Sequence, residues 1–304
     1  MYTRVVAVAV LAIALACSAQ DSPATDDTPA YSVRGVEALG APVVAMLSGG
    51  PGFRGNLMTG LGEAIGETRR VVLIDQRGTG ASAAMELSAE AMTIEGAVAD
   101  LERVRESVGA ERWSLAGHSW GGLLAMAYAA EHPDRVDSLV LVAPAGIDAS
   151  FWGAYQQNIM AAMPVDDMAA LRSLRPKDES PEAMHEVMRE ANRLYARATV
   201  ASDEAAATLR EEWMNAEEFF PAATMAMQPS LMSFDLRDDL AEFDRPALVI
   251  TGESDPIGVE TVERIRDTLG GAELVLLEDC GHWPMIEQPK QLSERVTAFL
   301  NERE

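Results

Sequence analysis

The sequence predicts an α/β protein: a mostly parallel sheet with helices on both faces and an inserted helical cap. Three observations predict it. Short β-prone apolar runs alternate with segments of helical spacing along most of the chain. The alternation stops between about 146 and 241, where no strand pattern occurs. A glycine-flanked serine, Gly117-His118-Ser119-Trp120-Gly121, stands between one apolar run and the helix after it.

The elements follow in order. Pro42–Leu47 and Arg70–Ile74 are expected strands, each a short apolar run. Ile94–Val108 is an expected helix, with Ile94, Val98, Leu101, Val104 and Val108 on one face. Trp113–Ala116 is a strand leading into the apolar helix Gly121–Glu131, which ends near His132-Pro133 because the residue before proline is pushed out of the helical region. Asp137–Val142 is the next strand. After the cap come strand Ala247–Thr251, helix Val259–Leu269, strand Glu273–Leu277 and a closing helix, Pro289–Asn301. Strands separated by helices need a parallel sheet covered on both sides, with the chemistry at the carboxyl ends of the strands. Only Tyr31–Leu39 is left before Pro42, so any earlier strands are expected to be short or missing. The cap stretch is rich in Ala, Glu, Arg and Met, all good helix formers, and holds nine methionines. Methionine at helical spacing is mostly core filling, although it also suits adaptable pockets.

Composition sets outer bounds. The chain has 304 residues, 48% hydrophobic, which is enough for one sizeable core. A net charge of −24, spread along the chain, argues against nucleic acid and anionic membrane surfaces as partners. It describes a strongly solvated surface, or a protein whose substrate is cationic. Near the N-terminus, Arg4 precedes an apolar run of 12 residues, Val5–Ala16, which is too short to span a bilayer and fits an export signal. Ala14-Leu15-Ala16 before Cys17 fits a small-x-small cleavage site. It is also similar to a lipoprotein box with Cys17 lipidated, with Ala14 where leucine is usual. The expected organisation is therefore a signal peptide over 1–16, a polar tether over 17–30, a first core segment over 31–145, a cap over 146–241 and a second core segment over 242–304. The expected location is periplasmic or membrane-anchored in a bacterium. The chain has two cysteines, Cys17 and Cys280, so loss or lipidation of Cys17 leaves no internal disulfide.

The chemistry centres on Ser119. A G-x-S-x-G turn between a strand and a helix lifts a serine Oγ clear of the sheet and aims the next amide, here Trp120 N–H, at a substrate oxygen. The glycines are needed because so sharp a turn leaves no room for Cβ atoms. A serine hydroxyl needs a base. Of four histidines, His118 adjoins the serine and is expected to be structural, His132 ends a helix and His185 falls in the cap. His282, in the loop after the last strand, is the candidate base. The acid that orients it is expected at Asp255, at the carboxyl end of strand Ala247–Thr251, with Glu253 in the same loop as runner-up and Asp279 too close in sequence to His282. The chain order Ser, Asp, His is the one that accompanies this turn. No metal-ligand cluster is visible, and this chemistry needs no metal or organic cofactor.

"SGGPG" at 48–52, "DQRGTGAS" at 75–82, "GHSWGG" at 117–122 and "CGHWP" at 280–284 together resemble the proline iminopeptidase (prolyl aminopeptidase) family of the α/β-hydrolase fold. That resemblance implies that Gly50 N–H, with Gly49 as the alternative, pairs with Trp120 N–H to form the oxyanion hole. Ser48 departs from the pattern, because the family carries histidine there. Asp75 and Arg77 are expected to form buried pairs that hold the loop near the site. The resemblance implies an aminopeptidase that removes N-terminal residues from small peptides, using cap carboxylates to hold the substrate's ammonium. Glu204, Glu211, Glu212, Glu217 and Glu218 are the candidates, Glu217 and Glu218 foremost because aromatics flank them. A solvated helix face is the plain alternative for these acids. An esterase or lactonase acting on a small acyl substrate would use the same triad.

The export reading has a direct check. Radiolabelled palmitate supplied to expressing bacteria is expected to label the wild type and not Cys17→Ala; equal labelling contradicts the lipoprotein assignment.

Overall fold

The computed structural model describes residues 20–36 and 40–302. The expected signal segment, and Cys17 with it, lie outside the described residues. Eight strands form one sheet: β1 (Gln20–Ser22), β2 (Tyr31–Gly35), β3 (Val43–Leu47), β4 (Arg70–Ile74), β5 (Trp113–His118), β6 (Val136–Val142), β7 (Ala247–Gly252) and β8 (Glu273–Leu277), in the order β1-β2-β4-β3-β5-β6-β7-β8. β2 runs antiparallel to both neighbours, and every pair from β4 to β8 is parallel. The two leading strands are present and short, of three and five residues, and β1 falls inside the segment expected to be a tether. β1 is three polar residues on an edge, paired only with β2, so no apolar run betrays it in the sequence.

The central strands are buried on both faces, and alternate residues serve separate cores. Val43, Ala45, Leu47, Leu115, Leu139, Leu141 and Val249 belong to one cluster, whereas Val44, Met46, Ala116, Val140, Val142 and Ile250 belong to the other. This is the period-2 alternation of a strand with helices on both sides. Helices α1 (Thr59–Ile65), α2 (Ile94–Ser107) and α3 (Trp120–Glu131) divide between the faces. α2 and α3 contribute Val98, Leu101, Leu123 and Tyr128 to the first core. α1 contributes Leu61 and Ile65 to the second. α2 starts at Thr93, whose side chain accepts the Gly96 N–H, an N-cap that satisfies one of the free amides at the helix start.

Between β6 and β7 the chain makes α4 (Phe151–Ala162), α5 (Val165–Ser173), α6 (Pro181–Thr199), α7 (Asp203–Thr208), a π turn over Leu209–Trp213, α8 (Pro221–Leu231) and α9 (Arg237–Leu240). This insertion lies at the carboxyl ends of the strands. Phe53 bridges to Phe219, and Arg54 N–H reaches the Glu218 carbonyl at 3.2 Å. The chain closes with α10 (Val259–Thr268), α11 (Pro284–Glu287) and α12 (Pro289–Asn301), whose Leu292, Val296 and Phe299 complete the second core.

Candidate active site

Ser119 sits between β5 and α3 with φ 53° and ψ −115°, a conformation L-residues rarely hold. Its neighbours over-determine it. Ser119 N–H donates to the Val142 carbonyl and its own carbonyl accepts from Ala145 N–H, each at 3.0 Å. A Cβ on Gly117 would overlap the Gly121 carbonyl, and one on Gly121 would overlap the Leu47 carbonyl. Glycine at these two positions therefore lets the turn close on itself and lets α3 start against the end of β3.

The structure brings Ser119, His282 and Asp255 into one hydrogen-bonded row. Ser119 Oγ lies 3.0 Å from His282 Nε2, and His282 Nδ1 lies 3.0 Å from Asp255 Oδ1. A carboxylate only accepts, so Nδ1 carries the proton and Nε2 is left to accept from the serine hydroxyl. Asp255 is buried and fully engaged: Oδ1 also accepts Ile257 N–H at 2.8 Å and Oδ2 accepts Thr251 Oγ1–H at 2.6 Å. Burial alone would raise its pKa. The nearby His282 charge and the hydrogen bonds from His282, Thr251 and Ile257 outweigh burial and hold the carboxyl below its ordinary range. The acid loop is sewn to the base loop by Glu253 N–H to the Leu277 carbonyl and Ser254 N–H to the Cys280 carbonyl, both 3.0 Å. Glu253 and Asp279 themselves are exposed.

The glycine-rich loop packs directly on the nucleophile turn. A Cβ at Gly49 would stand 2.7 Å from His118 Nδ1 and 3.1 Å from Ser119 Cβ, and Gly50 has φ +112°. Gly50 borders both cavities that flank Ser119. Trp120 opens α3, so its N–H faces outward at the helix start, where anionic oxygen is favoured. Ser48 is fully buried and its Oγ–H donates to the Phe53 carbonyl at 2.7 Å, closing the loop on itself. Gln76 is the residue sequence reasoning missed. Its Nε2 donates to the Ser48 carbonyl at 2.8 Å while its Oε1 accepts from Trp120 Nε1–H at 2.7 Å, so one amide ties the glycine loop to the residue after the nucleophile. Its place in the quoted DQRGTGAS motif was the available signal. Asp75 and Arg77 do not pair with each other. Asp75 accepts Gly55 N–H and Ala81 N–H, both at 2.8 Å, and Arg77 makes a two-pronged pair with Asp100 at 2.8 and 2.7 Å.

Two cavities meet at Ser119. The larger, about 140 Å³, runs under the cap past Phe53, Tyr155, Asn192, Tyr195, Phe219 and Trp283. The smaller, about 60 Å³, lies against Leu123, Trp152, Leu231 and Ile257. Among the described residues, neither is lined by a carboxylate. The acids expected to bind substrate stand outside these linings. Glu217 is exposed, as are Glu204, Glu211 and Glu212. Glu218 accepts from Asn56 Nδ2–H at 2.8 Å and stands 3.9 Å from Arg54, so it fastens the cap to the glycine loop. Met214 and Phe219 of the same stretch turn into the cavity, which leaves the two acids on the other side.

Such a row of three groups makes a hydroxyl nucleophilic near neutral pH, and it defines the hydrolases that work through a serine. Residues 42–289 match the family model described as alpha/beta hydrolase fold, and the chain belongs to that family. A proline iminopeptidase of Lactobacillus helveticus (strain DPC 4571) is 24% identical over 274 residues, covering 86% of this chain and 91% of that one. Among solved structures, the proline iminopeptidase of Mycobacterium smegmatis superposes with a TM-score of 0.70 at 22% identity, covering 94% of this chain and 98% of that one. Est816, described as an N-acyl homoserine lactone degrading enzyme, superposes with a TM-score of 0.64 at 21% identity, covering 88% and 95%.

His118 gives a pH test of this geometry. It is buried, its Nε2–H donates to the His282 carbonyl at 2.8 Å, and its Nδ1 is buried without a partner. Burial, then the neighbouring His282 charge, hold its pKa down to about 3. The unfolded chain, with an ordinary histidine near ~6.5, therefore binds the proton first as pH falls. Stability from this group is complete above that value and is lost on acidification, at up to about 1.4 kcal/mol per pH unit down to the folded value. His118→Gln keeps a donor for the carbonyl and removes the titration. Urea unfolding at a series of pH values is expected to show a shallower acid loss in this variant; identical slopes contradict the assignment.

Proposed function

We propose that the protein is an exported serine hydrolase that cleaves small uncharged acyl substrates, esters or lactones, through an acyl-enzyme on Ser119. His282 Nε2 takes the Ser119 proton as Oγ attacks the carbonyl carbon. The resulting oxyanion rests on Trp120 N–H and Gly50 N–H, and fixed backbone donors of this kind contribute on the order of 3–4 kcal/mol to the transition state. His282 then gives its proton to the leaving oxygen. Water enters, His282 takes a proton from it, and hydrolysis of the ester on Ser119 restores the hydroxyl. Asp255 stabilises the imidazolium at each stage.

The observation that carries the substrate class is the lining of the 140 Å³ cavity, which among the described residues is aromatic and neutral. An ammonium moved out of water needs a paired anion, and burying one without it costs several kcal/mol. Asp255 cannot serve, because both of its oxygens are taken. A second reading is an aminopeptidase that releases N-terminal residues from small peptides. The four sequence motifs and the similarity to the Lactobacillus proline iminopeptidase along 86% of the chain support it.

Kinetics on paired substrates separate the two. Short-chain p-nitrophenyl esters are expected to turn over faster than proline p-nitroanilide, and acetylating the amino group of the anilide is expected to leave its low rate unchanged. Efficient cleavage of the anilide that disappears when its amino group is blocked overturns the ester reading in favour of the aminopeptidase.

A further inference from the structure

Glu287, on α11, takes no part in the reaction described above, yet its carboxylate gathers the backbone on either side of the base. Oε1 accepts Gly281 N–H at 2.9 Å and Trp283 N–H at 3.2 Å. Oε2 accepts Ala201 N–H at 2.7 Å, from the residue that leaves the end of α6. The peptide of His282 is held independently: its N–H donates to the Thr199 carbonyl at 2.7 Å and its carbonyl accepts from His118 at 2.8 Å. Trp283 Nε1–H adds a bond to Thr199 Oγ1 at 3.0 Å. The loop that carries the base is thus fastened to the C-terminal end of a cap helix, and the Glu287 carboxylate accepts from the backbone of both.

The approach is close. A Cβ at Gly281 would lie 2.5 Å from the Thr199 carbonyl and 2.8 Å from Val200 Cα, so only glycine lets the two segments meet. A carboxylate suits the junction because it is acceptor-only and faces three amide donors, and bonds to an ionised acceptor are stronger than neutral ones. Burial pushes Glu287 up, against the three amides and the His282 charge, which pull it down. The carboxylate and the imidazole therefore sense each other electrostatically.

We propose that Glu287 is a positioning residue for His282, locking the base loop to the cap so that the imidazole reaches Ser119 only while the end of α6 is docked. Glu287→Gln keeps the shape but replaces one acceptor oxygen with an NH2 that faces a donor. The loop then shifts, and a displacement of the reacting groups by about 1 Å costs about 100-fold in rate.

The test uses the purified protein and a fluorophosphonate, whose reaction with Ser119 needs the base but no knowledge of the natural substrate. The proposal rests on the serine hydrolase reading, and the two fail differently. A wild type that takes up no label overturns that reading and this proposal with it. With a labelled wild type, Glu287→Gln is expected to react about 100-fold more slowly, and Glu287→Asp, which keeps the charge, to fall between the two. Loss of the negative charge beside His282 is also expected to move the acid limb of the rate–pH profile of Glu287→Gln to lower pH, because the imidazolium loses a stabilising neighbour. A role confined to stability would lower the unfolding midpoint and leave the rate per folded molecule and the acid limb in place. That outcome overturns the proposal. Should Glu287→Gln not fold, the labelling rate of Glu287→Asp per folded molecule decides it, and a wild-type rate there overturns it.

Discussion

The structure depends on the backbone of Ser119 being held where an L-residue is seldom found, at φ 53° and ψ −115°. Such a conformation costs of order 1–3 kcal/mol and persists only where surrounding packing fixes it. Here the fixing comes from several elements: the Val142 carbonyl of β6, the Ala145 amide after it, and the close contact of Gly121 with the end of β3. Each of these contacts also places part of the site. β3 ends against α3, so the glycine loop that follows it must pass over the nucleophile turn. Gln76, from the loop after β4, joins that glycine loop to Trp120.

The base and acid are set by the same logic on the other side of the sheet. β7 and β8 end side by side, and Gly252 lets the Cys280 carbonyl come close enough that a side chain there would collide with it. The acid loop and the base loop are therefore one bonded unit before the triad is considered. The cap contributes through Thr199 and Ala201 at the end of α6, and through Met214 and Phe219, which face the cavity. Glu204, Glu211, Glu212 and Glu217 face solvent, and Glu218 fastens the seam between cap and core.

Most of the sheet was legible because parallel strands buried on both faces must be continuous apolar runs, and Arg70–Ile74 was read to the residue. β1 was not legible, because a three-residue polar edge strand carries no such pattern. Ser119, Asp255 and His282 were readable because strand ends mark where functional loops stand in this class of sheet. The position of Glu217 and Glu218 relative to the cavity was not legible: the sequence shows that acids adjoin aromatics, but which of them faces the cavity is decided by how the segment packs on Phe53. Gln76 bonds Ser48 and Trp120, and Glu287 bonds Ala201, all far away in sequence, and neither periodicity nor spacing shows such pairings.

The central claim is that an acyl group passes through Ser119. Acid-quenching the protein during turnover of a p-nitrophenyl ester and locating the acyl group by peptide mass spectrometry tests it most directly. The account predicts an ester on the Ser119 peptide of the wild type and none on that peptide in Ser119→Ala. An acyl group found elsewhere, or hydrolysis that continues undiminished in Ser119→Ala, would contradict it.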